Sequence, residues 1–204
     1  MYNNGIYLCD FMLVMDASSI KQRILTTGCS KLDAKLGGGI PCRGITQLYG
    51  AAGTGKTQLA LQLCLTVQLP ITAGGLGAGA IYICTESAFP SKRLQQLLEK
   101  SEIAKTHSVN GDVIFVTHIA TIVIKKLYLK NWYYVSAVID GHRFISEDAN
   151  EQPALGVTWS SMITTSIYFY RKLSSRYACI MLASHLPRIT FQFEVKESGV
   201  KAVE

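Results

Sequence analysis

No C-x-x-C pair and no histidine-spaced ligand set occurs in these 204 residues, so the six cysteines (9, 29, 42, 64, 84, 179) do not read as a zinc site. Nor does any apolar run reach the length of a bilayer; the best, Ile6 to Met15, is short and carries Asp10. That run also lacks the basic start and small-residue cleavage site of a secretory leader. Acid is scarce, with 14 Asp and Glu against 20 Lys and Arg and a formal charge of +6. Such an excess of base favours an anionic partner such as nucleic acid without demanding one. Internal repeats and low-complexity tracts are missing too. What remains is a soluble, intracellular protein with no membrane contact, kept in a reducing compartment where Cys64 and Cys84 serve as small hydrophobes. The scattered histidines (107, 118, 142, 185) carry no assigned chemistry. With 49% hydrophobic residues, the chain suffices for one domain with a substantial core.

What is present is a glycine-rich loop. Gly50-Ala51-Ala52-Gly53-Thr54-Gly55-Lys56-Thr57 fits G-x-x-x-x-G-K-[ST], the phosphate-cradling loop of nucleotide-hydrolysing proteins. It follows an apolar strand pattern over 45–49 and precedes a Leu- and Ala-rich helix over 56–69, the context this chemistry needs. Glycines at 53 and 55 let backbone N–H groups turn toward phosphate oxygens at the helix start. Lys56 would reach the β- and γ-phosphates of ATP, and the Thr57 hydroxyl would ligate Mg²⁺.

Around the loop the pattern alternates. Residues 1–25 show no convincing period and read as a lead-in, or as a strand added to a sheet edge. Residues 26–36 read as a turn entering a short helix with Ser30 as its N-cap, ended by Gly37 to Pro41. Apolar runs at 80–84, 113–116 and 135–139 read as strands, the first of them central and parallel. Residues 91–100 read as an amphipathic helix and 117–133 as a crossover helix, despite the β-branched residues there. Three strand-like segments follow with short connections, at 162–170, 178–183 and 189–195; the last alternates strictly. Together these predict an α/β fold, a mostly parallel doubly wound sheet with C-terminal antiparallel strands.

Two carboxylates end strands of this pattern. Asp140 closes 135–140, at the crevice where a carboxylate can hold Mg²⁺ through water; a turn-capping Asp is the plainer alternative. Glu86 closes 81–86, where it could orient the water attacking the γ-phosphate; a helix-capping Glu fits the spacing equally well. The basic groupings at Lys125-Lys126, Lys130, Arg171-Lys172 and Arg176 read as ordinary solvated faces.

Five segments in order, 26–33, 38–46, 50–65, 80–97 and 153–159, resemble the RecA-type recombinases of eukaryotes. The phosphate loop is shared by many families, whereas TE-x-x-F-x-x-x-RL over 85–94 and LG-x-x-W over 155–159 are far more restrictive. The resemblance implies a RecA-like ATPase domain over 26–204, with Glu86 as catalytic glutamate, Asp140 on the metal side and Arg93 packed against adenine. It also implies a nuclear protein of homologous-recombination repair. Such a protein acts as a DNA-dependent ATPase, pairs with a paralogous RecA-type subunit and supports recombinase assembly on single-stranded or branched DNA.

One interval departs from that family. Only twelve residues, Gly141 to Gln152, separate Asp140 from Pro153, where relatives hold several dozen, including a helix, a parallel strand and DNA-contacting loops. A segment is therefore missing after the metal-side strand, and the short link predicts an antiparallel return or a gap in the sheet. A non-hydrolysing nucleotide-binding scaffold is the rival reading. A small-molecule kinase is another; it would need a basic lid, for which the sequence offers Arg171-Lys172 and Arg176.

Overall fold

The computed structural model describes residues 6–11, 24–84, 88–118, 136–141 and 163–203, with 6–11 and 136–141 described by backbone alone. Eleven strands and four α-helices are defined among them. In chain order these are β1 (Ile6–Phe11), β2 (Ile24–Leu25), α1 (Ser30–Lys35), β3 (Ile40–Pro41), β4 (Ile45–Gly50), α2 (Lys56–Thr66), β5 (Gly79–Cys84), α3 (Ser91–Lys100) and α4 (Glu102–His107). There follow β6 (Ile114–His118), β7 (Ser136–Gly141), β8 (Ile163–Lys172), β9 (Ser175–Ala183), β10 (Thr190–Lys196) and β11 (Gly199–Ala202).

Nine strands form one sheet in the order β11-β10-β9-β8-β4-β7-β1-β5-β6, and β2 pairs with β3 separately. β4 lies parallel to both β7 and β8, and β5 lies parallel to β6. The other five ladders of this sheet are antiparallel. The sheet is thus mixed, and the mostly parallel sheet predicted from sequence needs correcting. Two things tilt the balance: consecutive hairpins over β8–β11, and β1. That strand does not join an edge. It lies antiparallel between β7 and β5, with Ile6 opposite both Ile139 and Cys84.

The return after Asp140 also differs from expectation. β7 and β8 flank β4 and both run parallel to it, so the link is neither an antiparallel turn nor a gap. The count that matters runs from 142 to 162, beyond the described residues, and that length reaches the dozen or more that a parallel crossover takes. The predicted crossover helix, apart from residues 117 and 118 in β6, and the segment 153–159 likewise lie outside the described residues.

The core forms around α2. Its Leu59 to Thr66 are all buried, the signature of a helix apolar on every side rather than along one stripe. Full burial of each of its leucines contributes about 1.5–3 kcal/mol. In the same buried cluster lie Leu48, Ile167, Phe169, Ala178, Ile180, Phe191, Phe193 and Val200 from the sheet. α3 lies where predicted, burying Leu94 and Leu97. α1 begins at Ser30, one residue after the Cys29 cap, and no side chain caps it. Asp33 instead secures the preceding turn, accepting hydrogen bonds from the Thr27 amide and hydroxyl and from the Thr26 hydroxyl.

The carboxyl edge of the sheet as a candidate nucleotide site

The ladders bring three strand ends to one level. Leu48 of β4 stands opposite Ile139 of β7, which stands opposite Ile6, which stands opposite Cys84 of β5. Two residues further on, Gly50 is level with Gly141, and Tyr49 with Asp140. β4, β5 and β7 therefore end within two residues of one another, and the glycine-rich loop leaves from that edge. The Asp140 side chain lies outside the described residues. So does Glu86, which follows the last residue of β5 by two positions.

The loop's shape follows from its glycines. Gly50, Gly53 and Gly55 have φ of 131°, 75° and 116°, angles that L side chains rarely adopt. At Gly50 a Cβ would stand 1.9 Å from the Phe169 carbonyl oxygen of β8, so strand and loop can join only through glycine. At Gly55 a Cβ would come 2.9 Å from the Phe193 ring. At Gly53 it would meet nothing. The loop is thus anchored at both ends and open at its crown.

Lys56 begins α2 and is only 6% exposed. Its ammonium donates hydrogen bonds to the carbonyl oxygens of Gly50 and Ala51, both at 2.7 Å, and to Thr54 Oγ1 at 3.5 Å. Thr54 in turn donates to the Ala51 carbonyl at 2.8 Å. The charge is held inside the loop by the loop's own oxygens, which offsets the cost of burying it. The first turn of α2 has no side-chain cap, so it offers backbone N–H groups and the positive end of the helix dipole to an anion. Three strain-tolerant glycines, an uncapped helix start and an inward ammonium are the donor set that phosphate oxygens require. Nucleotide phosphates with Mg²⁺ at half-buried Thr57 fit these residues.

Arg93 reaches the same helix turn from α3. Its Nε donates to Gln58 Oε1 at 2.6 Å, Nη2 to the Lys196 carbonyl at 2.6 Å and Nη1 to the Glu197 carbonyl at 3.1 Å, with Gln96 as a further acceptor. Burial lowers its pKa, while Glu197 acts in the opposite sense. Arg93 thereby ties the β10–β11 turn to α2 and α3. The resemblance implies a place for Arg93 beside adenine and is silent on this clamp. Its partners lie more than a hundred residues downstream at Lys196 and Glu197, which no local pattern signals.

Comparison with known proteins gives the family. The Rad51 family profile matches residues 20–127, from before β2 to past β6. The chain belongs to the Rad51 family. This Rad51-family chain is 53% identical over 106 residues to DNA repair protein XRCC3 of Bos taurus, covering 48% of the chain and 31% of that relative. It is 48% identical over 81 residues to DNA repair protein rhp57 of Schizosaccharomyces pombe, covering 40% and 23% respectively. An XRCC3 homolog of Arabidopsis thaliana is 52% identical over 75 residues, covering 37% and 25%. Within its family the chain is XRCC3-like, and its matched segment spans about a third of the length of the XRCC3 relatives.

Proposed function

We propose that this chain binds ATP with Mg²⁺ in the loop Gly50–Thr57 and acts in homologous-recombination DNA repair. The observation that carries the nucleotide reading is the Lys56 ammonium held inside a loop of three positive-φ glycines at the uncapped start of α2. In this reading Lys56 and the loop amides hold the phosphates, Thr57 and Asp140 hold the metal, Arg93 packs on adenine, and Glu86 orients the attacking water. The resulting DNA-dependent ATPase supports recombinase assembly on single-stranded or branched DNA, in the nucleus, beside a paralogous RecA-type subunit. Similarity to proteins named for DNA repair in cattle, fission yeast and Arabidopsis supports the repair role.

The test is titration of the purified chain with a fluorescent ATP analogue. Micromolar binding that Lys56→Ala abolishes is the expected result. Equal affinity in wild type and Lys56→Ala would end the proposal.

A second reading has its own motive: only twelve residues separate Asp140 from Pro153. Under it the chain holds ATP and hydrolyses almost none, serving as a scaffold for its partner. Turnover stimulated by single-stranded DNA and lost in Glu86→Gln would refute the scaffold reading.

A further inference from the structure

Arg171 and Arg176 stand directly opposite each other across the β8–β9 ladder. Like charges in that arrangement destabilise a hairpin unless an anion answers them. Among the described residues neither guanidinium forms an ion pair, and Nε of Arg176 is buried without a hydrogen-bond partner. Unpaired buried donors are costly, so this one calls for a partner.

Their location points to that partner. Side chains alternate along strands, so Arg171 shares a face with Ile167 and Phe169, and Arg176 with Ala178 and Ile180. That is the face packed around α2. The row continues from Arg176 to Phe193, its partner on β10, and the Phe193 ring is what a Cβ on Gly55 would strike. At the loop's other end, Gly50 abuts the Phe169 carbonyl, two residues before Arg171. The row Arg171–Arg176–Phe193 therefore runs along the glycine-rich loop, between its two anchored ends.

We propose that Arg171 and Arg176 contact the terminal phosphate of the nucleotide held by the loop, a second cationic wall supplied by the same chain. The inference rests on the phosphate-binding reading of Gly50–Thr57. Planar guanidinium groups suit the task, because each can offer two parallel N–H donors to phosphate oxygens. The two arginines would then separate triphosphate from diphosphate, while Lys56 and the loop amides hold both.

Calorimetric titration of the full chain with a slowly hydrolysed ATP analogue and with ADP tests this. Arg176→Gln and Arg171→Gln should each weaken the triphosphate analogue about tenfold or more and ADP less than about threefold. Arg176→Lys should recover part of the loss. Unchanged triphosphate affinity, or equal loss for both nucleotides, overturns the proposal. Weakened retention of oligo(dT) with unchanged triphosphate affinity also overturns it, and assigns the pair to nucleic acid. Should Arg176→Gln fail to fold by circular dichroism, Arg171→Gln at its exposed position decides alone. Failure of the loop reading looks different: wild type then binds neither nucleotide.

Discussion

The side chain of Gln62 and the backbone of Val200 form a two-way hydrogen bond, with Oε1 accepting from the Val200 amide and Nε2 donating to the Val200 carbonyl. The same Nε2 also donates to the Thr27 carbonyl. One buried amide on α2 thus fastens both the turn before α1 and β11, two segments that nothing local connects. Gln62→Leu keeps the volume and strands these backbone groups. We expect a loss of about 2–4 kcal/mol, read by urea unfolding. A variant that unfolds at the wild-type midpoint would show that water replaces the side chain.

The glycines of the loop should separate by cost. Gly50→Ala drives a Cβ into the Phe169 carbonyl at a φ of 131°, so the strain adds to a backbone clash. We expect a loss above about 3 kcal/mol and little soluble protein. Gly53→Ala meets open space and carries only the left-handed penalty, about 1–2 kcal/mol. Differential scanning calorimetry of the two variants gives the comparison, and equal losses would contradict the anchored-end, open-crown description.

Arg93→Ala removes the donors for the carbonyls of Lys196 and Glu197. Thermal unfolding should report a loss of about 1–2 kcal/mol, since the site is partly exposed. Limited proteolysis should cut first near 196–198. Arg93→Lys should not restore stability, because one ammonium cannot span four acceptors on three elements. Full rescue by lysine would mean that charge alone, and not the fork of donors, holds the turn.

Tyr82 is fully buried, and its hydroxyl has no hydrogen-bond partner among the described residues. Tyr82→Phe deletes that unpaired group and keeps the edge-to-face ring contact with Phe89, at 4.8 Å between centroids. We expect the variant to match wild type or gain up to about 1–2 kcal/mol at pH 7.

The same substitution has a pH signature. Burial pushes the Tyr82 phenol upward, so the native state keeps its proton where the unfolded chain has released it. Stability is then complete below the ordinary phenol range and falls as pH rises above about 10. Tyr82→Phe should flatten that alkaline decline in pH-dependent unfolding midpoints. Tyr170, shifted in the same direction, retains part of the slope.

Where sequence reasoning succeeded, the signal was local. The loop, α2 and α3 follow from glycine spacing and apolar period over a dozen residues each. Where it failed, the deciding contact was distant. Nothing in Ile6–Phe11 announces that this strand pairs with residues 79–84 and 136–139 rather than joining an edge. α4 was missed because six residues are too few to show a helical period. The pairing of Arg171 with Arg176 could have been found. The two-residue turn Leu173–Ser174 fixes the register, and alternation from Phe169 and Ala178 then assigns the face.

β1 carries a consequence for biosynthesis. Its neighbours in the sheet end at Cys84 and Gly141, so six early residues must wait for strands translated far behind them. Ribosomes emit chain at about 5–20 residues per second, which makes the wait for β7 roughly 7–26 seconds long. During it both edges of β1 carry backbone donors and acceptors without their strand partners. Closing the seam is the slow, long-loop event in this fold, and chaperone demand should concentrate there.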